Sequence, residues 1–87
     1  MDRPTLSEFP TDFPLKIMGL ATPDFAQHGV DVVLRHAPDF DPASVEMRPS
    51  SGAKYLALTC TVRATSQKQL DDLYRDLTAH HMVKVVL

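Results

Sequence analysis

Six stretches of hydrophobic periodicity follow one another along the chain, and their order leaves few folds open. Phe13, Leu15 and Ile17 alternate with Pro14, Lys16 and Met18, a half-buried strand closed by Gly19. Thr22-Pro23-Asp24 then reads as a helix start, with Thr22 as the cap, Pro23 in the first turn and Asp24 complementing the positive helix end. The helix runs to about Ala37, and Pro38 stops it. Phe25, Ala26, Gly29, Val30, Val32, Val33 and Ala37 share its apolar arc. Gly29 on that arc suggests a close approach of the helix to a sheet.

Val45 and Met47 alternate with Glu46 and Arg48 in a second strand. Pro49 ends it and marks a sheet edge, because proline cannot donate to the ladder. Ser50-Ser51-Gly52-Ala53 is a turn. The third strand sets Leu56, Leu58, Cys60 and Val62 on one side and Tyr55, Ala57, Thr59, Thr61 and Arg63 on the other. Ser66 and Gln69 form a capping box for a second helix, whose stripe is Leu70, Leu73, Tyr74 and Leu77. Asp71 and Arg75 are spaced for an ion pair on its wet side. In the last strand Val83, Val85 and Leu87 face one way, and Met82, Lys84 and Val86 the other.

The order βαββαβ with right-handed crossovers is the ferredoxin-like arrangement, an α+β fold. It implies a four-stranded antiparallel sheet of order 4-1-3-2 with both helices on one face. At 87 residues the chain is one domain. Residues 1–12 carry two prolines, three acids and no period, and read as a flexible arm that docks near Phe9; the domain proper spans 13–87. No apolar run approaches the roughly 20 residues of a membrane span, and the first residues show no signal-peptide pattern. Cys60 stands alone, so a reducing cytoplasm is the expected compartment.

The sheet face without helices gathers Lys16, Met18, Glu46, Arg48, Ser50, Tyr55, Thr59, Thr61, Arg63 and Lys84. Four cations meet one acid there, against −2 for the whole chain. Lys16, Arg48, Tyr55, Arg63 and Lys84 are therefore the candidate partner- or ligand-binding residues. The rival reading is a merely solvated face. RNA-reading sheets of this architecture stack bases on two or three aromatics, and this face offers Tyr55. The loop after Gly19 is a second candidate, for a small ligand held by backbone groups. It holds neither paired cysteines nor a phosphate-cradling pattern.

The four histidines lack metal-ligand spacing, so no metal or other cofactor is expected. His36 reads as closing the first helix by bonding its last carbonyls. His80 and His81 are adjacent and should point apart on an extended chain. Cys60, on the core side, should be inert.

Glu8-Phe9-Pro10-Thr11, Lys16-Ile17-Met18-Gly19, Arg35-His36-Ala37-Pro38, Arg48-Pro49-Ser50-Ser51 and Leu73-Tyr74-Arg75-Asp76-Leu77 occur in the order in which they stand in the YbeD family of small bacterial proteins. The chain resembles that family from about Ser7 to Leu87. The resemblance implies a βαββαβ fold similar to the ACT-like regulatory domain of phosphoglycerate dehydrogenase, which binds a small effector at a dimer interface. It also implies a setting in lipoate metabolism, and it brings no catalytic residues. The reading is a cytoplasmic, non-catalytic regulatory or interaction module, a monomer or weak homodimer, that senses a small effector or docks a protein partner. The alternative is an RNA-binding protein using the basic sheet face.

Overall fold

A computed structural model describes residues 8–87. The elements run β1 (Thr11–Leu20), α1 (Phe25–His36), β2 (Glu46–Pro49), β3 (Tyr55–Ala64), α2 (Gln67–Ala79) and β4 (Val83–Val86). Short 3-10 turns precede β2 at Pro42–Ser44 and β3 at Ser51–Ala53. The four strands form one antiparallel sheet of order β2-β3-β1-β4, the expected order 4-1-3-2 read from the other edge. The fold is ferredoxin-like.

β1 and β3 are the centre. They pair without interruption from Thr11↔Ala64 to Leu20↔Tyr55. Odd residues of β1 and even residues of β3 point to the helices, because side chains alternate across a strand. Phe13, Leu15, Ile17, Leu58, Cys60 and Val62 are thereby buried against Phe25, Val32 and Val33 of α1 and Leu70, Leu73 and Leu77 of α2. Each large side chain so buried contributes about 1.5–3 kcal/mol. Phe9 packs against the edge of this core.

Several local expectations are corrected. β1 begins at Thr11, so residues 11 and 12 belong to the sheet rather than to an arm; the flexibility expected of residues 1–7 lies outside the described residues. α1 starts at Phe25, with Asp24 rather than Thr22 at the N-cap and no side-chain cap. Ser66 does cap α2, its hydroxyl accepting from the Gln69 amide at 3.1 Å. The Gln69 side chain, however, accepts from the Thr65 amide instead of closing on Ser66, and donates to the carbonyl of His36 at 2.9 Å. It ties the start of α2 to the end of α1. Arg75 pairs with Asp72 rather than Asp71, at 3.1 Å.

The largest correction is in β4. Val86 lies opposite Ile17 and Val85 opposite Met18, but the next pair is Val83 with Gly19. Lys84 is the extra residue of a bulge. This shift turns Val83 and Val86 toward the core and puts Val85 on the open face, where Leu87 joins it by exchanging both backbone hydrogen bonds with Lys16. Met47 is also more exposed than its strand period implies, at 57%. It shares the helix-side face with Leu58, but the helices do not reach over the β2 edge.

Two glycines sit at close approaches in the core. A Cβ on Gly29 would come within 2.8 Å of Leu58 Cδ1, the close helix–sheet approach that its place on the apolar arc suggests. A Cβ on Gly19 would collide with the backbone carbonyl of Met82 and come within 2.8 Å of Phe25 Cζ. Gly19→Ala should therefore cost more in urea titration than Gly29→Ala, about 1–3 kcal/mol from overpacking. Gly29→Ala displaces only the end of a side chain and gains about 1 kcal/mol in helix propensity. Equal losses would contradict the packing described at Gly19. Leu58→Ala should cost about 2–5 kcal/mol, and Thr59→Ala much less; similar losses would place the β3 register wrong by one residue.

Candidate functional site on the open sheet face

The pairing register sets side chains on the open face in rows across the sheet. One row is Arg48, Ala57, Met18, Val85; the next is Glu46, Thr59, Lys16, Leu87. Tyr55 and Leu20 form the row on one side, and Pro14 with Thr61, then Asp12 with Arg63, the rows on the other. Ala57 is the small residue in the middle. Around it opens a shallow depression of about 170 Å³, lined by Lys16, Met18, Arg48, Pro49, Ser50, Tyr55 and Ala57.

The β2–β3 turn fixes one wall. Gly52 adopts φ +80°, in the left-handed region, with nothing near its missing Cβ, so its role is conformational. Ser50 and Tyr55 close the turn: the Ser50 amide donates to the Tyr55 carbonyl at 2.8 Å, and the Ser50 hydroxyl accepts from the Tyr55 amide at 3.0 Å. Lys54 Nζ lies 5.5 Å from the Tyr55 ring centre, a cation–π distance.

The candidate residues divide. Lys16, Arg48 and Tyr55 come together around the depression. Arg63 does not join them. It lies in the last row, 3.2 Å from the carboxylate of Asp12 directly across on β1. Asp12 is thus a second acid on this face, beside Glu46, and the single four-cation patch is not formed. Lys84 is exposed on the β4 bulge, away from the depression. Gly19 is no loop residue. It is buried within β1 beneath Phe25 and the Met82 carbonyl, which fill the space beside its Cα.

The apolar part of the face is what period reading missed. Val85 is 44%, Leu87 46% and Leu20 39% exposed, and Met18 lies between them half-buried. Nothing in the alternation of β4 signals the bulge that brings Val85 and Leu87 here. Among the described residues, no carboxylate lies within ion-pair distance of Lys16 or Arg48.

The remaining polar clusters lie on the helix side. Asp76 of α2 accepts from His36 Nε2 at 2.9 Å and from Arg35 at 3.3 Å. His36 thus bridges the helices rather than capping α1. His80 and His81 do not point apart: their rings stack at 5.1 Å, and His28 lies 5.0 Å from His80. Among the described residues, no group of three or more His, Cys, Asp or Glu side chains is placed to hold a metal ion. Cys60 is buried in the core, and burial pushes its thiol up to about 11, so it carries no thiolate at neutral pH. No helix among the described residues is long and apolar enough to cross a membrane.

Comparison with known proteins agrees with the fold and defines the family. Residues 4–87 match the family described as a protein of unknown function (DUF493). The chain belongs to this family. A UPF0250 protein of Bordetella pertussis is 61% identical over 83 residues, covering 95% of this chain and 91% of that one. A UPF0250 protein of Ralstonia nicotianae is 58% identical over 85 residues, covering 98% and 88%. The solution structure of protein HP0495 from H. pylori superposes with a TM-score of 0.75 at 14% identity, covering 98% of this chain and 88% of that one. At that identity the likeness is one of fold. The small bacterial family of unknown function that the ordered motifs implied is the one found.

The Asp76 bridge has a pH signature. The hydrogen bond from His36, then Arg35, holds its carboxyl below the ordinary aspartate range, against partial burial. The folded value is thus below the unfolded one. Its contribution is complete above the usual value of about 4 and is lost as pH falls through the lowered value. The stability difference between wild type and Asp76→Asn in urea should therefore shrink from about pH 5 downward. A difference that grows toward acid pH would contradict the bridge.

Proposed function

We propose that the chain is a non-catalytic interaction module that docks a protein partner on the open face of its sheet. The observation that carries this reading is the exposed apolar strip of Leu20, Val85 and Leu87 beside a depression flanked by two cations. Apolar carbon in contact with water on one face favours a cover, since burying it releases roughly 25 cal/mol per Å². Lys16 and Arg48 add orientation rather than reactivity: fixed cations beside apolar walls recognise carboxylates. The regulatory role and the lipoate setting implied by the resemblance would follow from which partner docks. An RNA-binding role would use the same face, with Tyr55 as its stacking ring.

Capture on immobilised full-length chain, compared with Val85→Glu/Leu87→Glu, tests this. Both residues are exposed, so the variant should keep its thermal midpoint within a few degrees. Proteins identified by mass spectrometry on the wild type should be lost from the variant and should resist nuclease. An identical captured set from both chains would overturn the reading. So would a captured species that is RNA and dissociates steeply with salt.

A further inference from the structure

Building on the docking role of the open face, we infer that its occupant is an acidic amphipathic helix of a partner protein. The helix would seat one carboxylate over Ala57 between Lys16 and Arg48, and lay its apolar side chains on Met18 and Val85. Three observations converge on this chemistry.

The first is charge. Lys16 and Arg48 border the depression from strands on opposite sides of β3, and no carboxylate among the described residues lies within ion-pair distance of either. Arg63 differs: Asp12 already meets it at 3.2 Å. The charge left to be matched is therefore concentrated at the depression. A second copy is a poor match there, because seating the depression on its own copy would bring Lys16 and Arg48 of each together, with Glu46 the acid in the adjoining row. A phosphate backbone would satisfy the cations but would leave Val85 and Leu87 against a polar strand.

The second is extent. A free small carboxylate in a hollow of about 170 Å³ would leave the strip on β4 exposed. A polypeptide covers both, at the scale of roughly 800 Å² per partner typical of specific complexes.

The third is spacing. Along the row Arg48, Ala57, Met18, Val85, strands are about 4.8 Å apart. Met18 is thus about 5 Å and Val85 about 10 Å from Ala57 across the sheet. A helix lying along that row places residues i+4 and i+7 about 6 and 10.5 Å beyond residue i. Acid at i with apolar residues at i+4 and i+7 fits the row. An extended strand fits it less well, because its same-side residues advance by about 6.6 and 13 Å. The helix would cover the sheet as α1 and α2 cover its other face.

A displayed library of helical peptides, randomised on one face and panned against the immobilised full-length chain, tests the inference. Enriched peptides should carry Glu or Asp at one position with Leu, Ile, Met or Phe four and seven residues on. Lys16→Glu/Arg48→Glu should weaken a selected peptide by about tenfold or more, and replacing the peptide's acid by Lys should restore much of that loss. Amide shifts on titration should fall on β1, β3 and β4. Enrichment without an acid, or shifts confined to α1 and α2, would overturn the inference. So would sedimentation showing a dimer that Val85→Glu dissociates. If capture of proteins depends on Val85 and Leu87 but selected peptides show no acid, the docking role stands and this inference fails. If capture is indifferent to Val85 and Leu87, the docking role itself fails.

Discussion

The pairing of β1 with β3 is the constraint on which the rest of the molecule depends. It is ten residues long on each strand and has no bulge. Because alternation runs in phase along both strands, one face receives Leu15, Ile17, Leu58, Cys60 and Val62, and the other receives Lys16, Met18, Ala57 and Thr59. A slip of one residue would exchange these sets and bury lysine. Core composition and open-face composition are therefore one decision. The edge strands inherit it: β2 and β4 are four residues each and take their register from β3 and β1.

The two faces then carry different work. The helix face is closed by leucines of α2 and valines of α1, and its polar contacts lock the helices to each other. Gln69 reaches the His36 carbonyl, and Asp76 takes both Arg35 and His36. These contacts join the end of α1 to α2 at two places, Gln69 in its first turn and Asp76 in its second half. On the open face the Arg63–Asp12 pair lies in the last row, and Lys16 and Arg48 at the depression have no carboxylate within ion-pair distance among the described residues. The hollow around Ala57 arises because that residue is small where its row neighbours, Arg48 and Met18, are long.

Much of this was legible in the sequence. Order of periods gave element order, strand order and the helix-side core, because long elements with a buried face must show their period. Pro49 marked the β2 edge, and Gly29 marked the close approach of α1 to Leu58. Of the candidate site, Lys16, Arg48 and Tyr55 were placed on one face by alternation, and they do meet. What was not legible was set by geometry with no periodic signature. The bulge at Lys84 reverses the faces of Val85 and Val86, and it turns an expected pair of core residues into an exposed strip. Asp12 appeared to belong to an arm because Pro10 precedes it, yet it extends β1 and neutralises Arg63. Gly19 resembled a loop terminus because glycine commonly ends strands, whereas here it admits the Phe25 ring. His36 and Asp76 lie 40 positions apart, and only the packing of α1 on α2 brings them together.

One sheet face holds the fold while the other stands open, with β4 bulged so that Val85 and Leu87 lie on the open side. Methyl relaxation enhancement by a soluble paramagnetic probe, on the full-length chain at low concentration, reads this directly. Strong enhancement is expected at Val85, Leu87 and Leu20, and protection at Leu15, Ile17, Leu58 and Val86. Protection of Val85 and Leu87 together with enhancement of Val86 would show that β4 has the regular register, and would remove the apolar strip on which the docking face rests.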